Sequence, residues 1–124
     1  MSTPLQSPVA ELTPCQIAPV LHTYTLIDVR EPHEFHGDLG HVAGSRLLPI
    51  ATIGSAAATL DRDRPLLVIC RSGRRAHAAT ALLASRGFDA VNLTGGMLAW
   101  SRAGLPMCGA HHHDGACVLE RLAC

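Results

Sequence analysis

The six residues Cys70-Arg71-Ser72-Gly73-Arg74-Arg75 are the part of this 124-residue chain whose types and spacing are best suited to chemistry. An apolar run, Leu66 to Ile69, precedes them, and an alanine-rich run, Ala76 to Ala84, follows. That order predicts a buried strand, a tight loop and a helix. A cysteine at a strand end facing a helix start meets backbone N–H groups and the positive end of the helix dipole, and both favour negative charge. The thiolate is the reactive form of cysteine, so Cys70 is the candidate nucleophile. Arg71, Arg74 and Arg75 add positive charge and forked N–H donors for an anion. Gly73 allows a tight turn or a close approach to a ligand, and the Ser72 hydroxyl can tighten the loop. The segment reads as a holder for a nucleophilic sulfur beside a small anion.

The elements around the loop follow from pattern and punctuation. Thr13-Pro14 is a helix start, with threonine as cap and proline in the first turn. Ile17, Ala18 and Leu21 then predict a short helix over 15–22. Leu26 to Val29 reads as a buried strand, Arg30-Glu31-Pro32 as a turn, and His33 to His36 as one helical turn. Ser45 to Leu48 reads as a strand ended by Pro49, and Ile53 to Leu60 as a helix. Leu66 to Ile69 is the central strand, Arg74 to Arg86 a helix stopped by Gly87, and Ala90 to Leu93 the last strand. Gly95-Gly96 opens a final helix that runs to Arg102. Strands that alternate with helices imply a mostly parallel α/β sheet covered on both faces. Sites in such sheets lie at the carboxyl ends of strands, where Asp28 and Cys70 both fall.

Composition narrows the function class. Apolar residues make up 48% of a chain long enough for one core, and aromatic residues only 3%, so the core must be aliphatic and alanine-rich. Ten arginines and ten acids give a formal net charge of zero. That argues against non-specific nucleic-acid or anionic-membrane binding, which need a basic excess. No transmembrane span or secretory signal is visible, so the default location is the cytoplasm. Five cysteines, an odd number, argue against a closed disulfide framework, and a reducing compartment would leave each as a free thiol.

From about Val9 to Met107 the chain resembles a single-domain rhodanese. The resemblance rests on five segments in order: Leu26-Ile27-Asp28-Val29-Arg30-Glu31, Glu34-Phe35, Gly40-His41-Val42-Ala43-Gly44-Ser45, the Cys70–Arg75 loop, and Leu93-Thr94-Gly95-Gly96-Met97-Leu98-Ala99-Trp100. It implies a three-layer α/β sandwich with a five-stranded parallel sheet in the order 1-5-4-2-3. It also implies sulfur transfer through a persulfide on Cys70, with thiosulfate or a related anion as donor and a thiol or protein cysteine as acceptor, and no cofactor. In this reading Arg71, Ser72, Gly73, Arg74 and Arg75 bind the donor, with Arg71 and Arg75 the leading contacts. Asp28 and Arg30 brace the loop from behind. Ala43, Ser45 and Ala76 depart from the usual family residues, and Ala76 removes a hydroxyl at the helix start. Glu34, His33 and His36 read as surface residues, His41 as a loop residue bonding backbone, His77 as solvent-facing and Trp100 as core.

The division implied is a flexible leader over 1–8, the domain over 9–107 and a tail over 108–124. The tail holds Cys108, His111, His112, His113, Asp114, Cys117 and Cys124. Its spacing matches no standard zinc finger, so no metal site is assigned, and a mobile tail is expected. Two other readings compete. A non-catalytic sulfur or metal carrier would use the tail for binding. A cysteine phosphatase or arsenate reductase would need arginine six positions after the nucleophile, where this chain has Ala76 and places Arg75 one residue early.

Overall fold

The computed structural model describes residues 9–108. The expectations for the leader and for His111 to Asp114, Cys117 and Cys124 lie outside these described residues. Within them the chain runs β1 (Glu11–Leu12), α1 (Pro14–Ile17), β2 (Thr25–Asp28), α2 (Pro32–Phe35), β3 (Arg46–Leu47), α3 (Ile53–Ala56), β4 (Leu66–Ile69), α4 (Arg74–Ser85), β5 (Ala90–Leu93) and α5 (Gly96–Arg102). All pairings between these strands are parallel, and the sheet order is β1-β5-β4-β2-β3.

The sheet is buried on both faces because each strand presents apolar side chains alternately to either side. Leu66, Val68 and Cys70 share one face with Ile27 and Val29, packed under Ile53 and Ala57 and under Ala76, Ala79 and Leu83 of α4. Leu67 and Ile69 point the other way, with Leu26, Val91 and Leu93, and meet Ile17, Met97 and Trp100. Cys70 therefore continues the phase of Leu66 and Val68 and faces α4. Asp28 pairs in register with Ile69, which sets Asp28 and Cys70 at the same end of the sheet.

Two expected helices are shorter than their patterns suggest. The first is one α turn, Pro14–Ile17, that tightens into a 3-10 segment at Ala18–Thr23. Pro19 has no N–H to donate to Cys15, so the α ladder cannot continue. Its start is as expected: Gln16 N–H donates to Thr13 Oγ1 at 3.2 Å, and Thr13 N–H donates to Gln16 Oε1 at 2.9 Å. The second is α3, flanked by 3-10 turns at Ile50–Thr52 and Ala57–Thr59. Gly54 and the β-branched Thr52, Ile53 and Thr59 are poor helix formers. Strand β1 has only two residues and answers to no sequence pattern.

Cys108 is buried and forms an antiparallel bridge with His41, their N–H groups and carbonyls exchanging bonds of 2.6 and 2.7 Å. The chain thus stays fixed to the fold through that residue. Cys15 and Cys108 are disulfide-bonded, against the expectation of free thiols, and Cys70 is the free cysteine among the described residues.

Candidate active site

The site is built where β4 ends and α4 begins. Cys70 is fully buried. Its Sγ accepts the N–H of Gly73 at 3.0 Å and the N–H of Ala76 at 3.3 Å. A sulfur held by converging backbone donors at the start of a twelve-residue helix is placed to carry negative charge. The hydroxyl missing at Ala76 is not needed, because the backbone N–H makes the bond. Gly73 caps α4 at a φ of 98°, a left-handed conformation that side chains resist. A Cβ there would also stand 3.1 Å from the Gly95 nitrogen.

The loop is held from outside by two elements. Asn92 Nδ2 donates to the Gly73 carbonyl at 3.2 Å. At the start of α5, Met97 N–H donates to the Cys70 carbonyl at 2.9 Å and Leu98 N–H to the Arg71 carbonyl at 3.0 Å. This approach requires glycine at 96, where φ is 58° and a Cβ would overlap the Cys70 carbonyl and stand 2.6 Å from the Arg71 oxygen. Sequence reasoning took Gly95-Gly96 only as a helix opening. The signal that it does more was the pair's position directly after the strand neighbouring β4.

The arginines divide. Arg71 and Arg74 are exposed and make no ion pair among the described residues. Arg75 is clamped: its Nη1 and Nη2 donate to Glu34 Oε1 and Oε2, both at 2.7 Å. Glu34 is therefore no ordinary surface residue. Its N–H-forked partner holds its carboxyl well below the usual range, at about 2 against an ordinary 4.5; the Arg75 hydrogen bonds do most of this and burial opposes them. The Glu31 N–H and the charges of Arg75 and Arg30 lower it further. Because folding lowers this value, the pair's contribution is complete above pH 4.5 and is lost as pH falls through about 2. Glu34→Gln should destabilise the fold by about 1 kcal/mol near neutral pH, the scale for a half-exposed pair. Urea melts at stepped pH should show the gap from wild type closing below pH 4.5.

Asp28 and Arg30 form a buried pair, with Arg30 Nε and Nη2 each 2.9 Å from an Asp28 oxygen. The other Arg30 bonds go to the carbonyls of Glu34, at 3.1 Å, and Gly40, at 2.7 Å. The pair thus braces the β2–β3 crossover. Its hydrogen bonds lead toward the Cys70 loop through Glu34, whose backbone Arg30 holds and whose carboxylate holds Arg75, and the Asp28 charge also acts on Arg75. His41 stacks on Phe35 at 3.7 Å, with Nδ1 2.9 Å from the Phe35 carbonyl, so it bonds backbone as expected. His77 is exposed, 3.9 Å from Glu11, and Trp100 is core. No cluster of three or more His, Cys, Asp or Glu among the described residues is arranged to hold a metal ion.

A parallel five-stranded sandwich with a cysteine cradled at the end of its central strand defines a recognisable class of α/β domain. The model of the rhodanese-like domain matches residues 16–103, and the chain belongs to that family. Among relatives, it is 41% identical over 80 residues to a probable adenylyltransferase/sulfurtransferase MoeZ of Mycobacterium tuberculosis, over 62% of this chain but only 20% of that protein's length. It is 38% identical over 76 residues to the thiosulfate sulfurtransferase GlpE of Stutzerimonas stutzeri, over 60% of this chain and 68% of the relative. Among solved structures, a rhodanese-related protein of Thermoplasma volcanium superposes with a TM-score of 0.73 at 32% identity, over 77% of this chain and 93% of that one. The family and these relatives are those of sulfurtransferases.

Proposed function

We propose that the chain moves a sulfane sulfur from thiosulfate, or a related small anion, to a thiophilic acceptor through a persulfide on Cys70. The observation that carries this reading is the Cys70 Sγ held by the N–H groups of Gly73 and Ala76. The thiolate attacks the outer sulfur of the donor. A bond forms between Sγ and that sulfur, the donor's S–S bond breaks, and its electron pair leaves with sulfite. The persulfide anion then lies among the loop N–H groups, which favour its charge. An acceptor nucleophile takes the outer sulfur, the Sγ–S electron pair returns to Cys70, and the thiolate is restored. Cyanide serves in an assay, and a thiol or protein cysteine in the cell. No cofactor enters the step.

Of the two arginines expected to lead in donor binding, Arg71 makes no ion pair among the described residues, whereas both Nη atoms of Arg75 are engaged by Glu34, which favours Arg71 as the donor contact. A charged hydrogen bond contributes about 1.5–3 kcal/mol, so Arg71→Ala should raise the KM for thiosulfate roughly ten- to a hundredfold. Arg75→Ala should raise it less. Steady-state kinetics over thiosulfate at fixed cyanide measure both, and a larger loss at Arg75 would make that residue the donor contact. Location belongs to the same reading. The cytoplasm is the default from sequence, and no described helix is long and apolar enough to cross a membrane. Disulfide bonding at Cys15 and Cys108 favours an oxidising compartment instead. Locating the protein in cell fractions decides between them.

A further inference from the structure

The packing of the chain continues past the point where the family match ends. Residues 104–108 lie beyond the matched 16–103 and run as a strap along the corner that follows α2. Leu105 is buried in the cluster that holds Ile17 and Trp100, and the Pro106 carbonyl accepts the Trp100 Nε1–H at 2.9 Å. Cys108 then pairs with His41, each N–H donating to the other's carbonyl, and a disulfide ties Cys108 further. The contact is close enough to dictate the residue before His41. Gly40 has a φ of 60°, and a Cβ there would overlap the Cys108 carbonyl oxygen and stand 3.1 Å from its carbon. A strap packed this tightly fixes the backbone of Gly40 and His41.

Two separate routes run from these residues to α2. His41 stacks on Phe35 with ring centroids 3.7 Å apart, and its Nδ1 lies 2.9 Å from the Phe35 carbonyl. The Gly40 carbonyl accepts Arg30 Nη2 at 2.7 Å, while Nη1 of the same guanidinium donates to the Glu34 carbonyl at 3.1 Å. That guanidinium is planar and Arg30 is 1% exposed, so it relates the two carbonyls as one rigid piece. Helix α2 is four residues long. A single turn is not stable by itself, so its position is set by what it packs against. It carries Glu34, whose carboxylate takes both Nη groups of Arg75 in the Cys70 loop.

We propose that the strap 104–108 is a positioning element of the sulfur-transfer site, acting through Gly40 and His41 on α2 and through Glu34 on Arg75. This role rests on the persulfide reading above and extends the site's dependence to residues outside the matched domain.

Gly40→Ala is the probe, because its methyl group would push the Cys108 carbonyl away. Gly44→Ala is its control, on the same corner and with a φ of 84°, but with nothing within 4 Å of the new methyl group. In Gly40→Ala, kcat/KM for thiosulfate should fall about tenfold, the lower end of the scale for a lost charged hydrogen bond, and in Gly44→Ala it should stay at the wild-type value. If Gly40→Ala does not fold, His41→Ala carries the same test by removing the Phe35 contacts. A double-mutant cycle with Glu34→Ala separates positioning from general loosening. Without Glu34 the strap has no hold on Arg75, so adding Gly40→Ala should cost no further activity, and losses that multiply overturn the proposal. The Arg75 Nε–Hε resonance is read apart from transfer: it should shift in Gly40→Ala and His41→Ala but not in Gly44→Ala. An unmoved resonance, or wild-type kcat/KM in folded Gly40→Ala, overturns the strap's role. Intact mass after thiosulfate tests the other reading: a wild-type chain that gains no sulfur overturns the persulfide, and the Arg75 resonance alone then decides the strap.

Discussion

Cys70→Ser should abolish transfer of sulfur from thiosulfate to cyanide while the chain keeps its fold. Serine fits the space and can meet the same N–H groups, but its hydroxyl is not ionised at neutral pH and cannot form a persulfide. Cys70 faces the packed layer under α4 and is fully buried, so the exchange costs core contacts of one sulfur atom and little more. Thiocyanate production should drop to the uncatalysed rate, and circular dichroism should match wild type. Activity of more than a few per cent would show that another group carries the reaction. Cys15→Ser is the control for sulfur chemistry: it lies in α1, off the β4–α4 junction, and breaks a disulfide, so it should lower stability yet leave turnover intact while the chain stays folded.

Gly96→Ala should be the next most damaging change, although residue 96 brings no side chain to the site. The new methyl group would overlap the Cys70 carbonyl and crowd that of Arg71, on backbone held at a φ of 58°. Backbone cannot yield as a flexible side chain would, so α5 must back away from the loop. The bonds from Met97 and Leu98 N–H to those two carbonyls then lengthen. A displacement of about 1 Å at a reacting centre can cost a hundredfold, so kcat/KM should fall by about that factor. Gly44→Ala separates strain from position. Gly44 has a φ of 84° but open space around its Cβ, so the substitution should cost about 1–2 kcal/mol in stability and leave kcat/KM unchanged. Equal losses from both substitutions would mean that α5 does not position the loop.

What the sequence disclosed was local. The run from Leu66 to Ala84 spells strand, cysteine loop and helix within one contiguous stretch, and the structure forms it as spelled. The same holds for the short cap at Thr13. Contacts between distant segments were not legible. Glu34 and Arg75 lie 41 positions apart, and nothing in the pattern around Glu34 distinguishes a clamp on the Cys70 loop from a solvated carboxylate. Strand β1 is two residues long, too short for alternation to register, and exists because Ala10 and Leu12 carbonyls accept the N–H groups of Asn92 in β5 and of Thr94 just beyond it. Residue patterns alone delivered four strands; the fifth came from family resemblance. Gly95-Gly96 showed its turn character in sequence but not which carbonyls lie against it, since that depends on how α5 folds back across the end of β4.

Mass spectrometry of the intact and digested chain after incubation with thiosulfate tests the central claim most directly. The account predicts one added sulfur atom per chain, located on the peptide that contains Cys70, removed by cyanide and absent from Cys70→Ser. No added sulfur, or added sulfur on a peptide without Cys70, would contradict it.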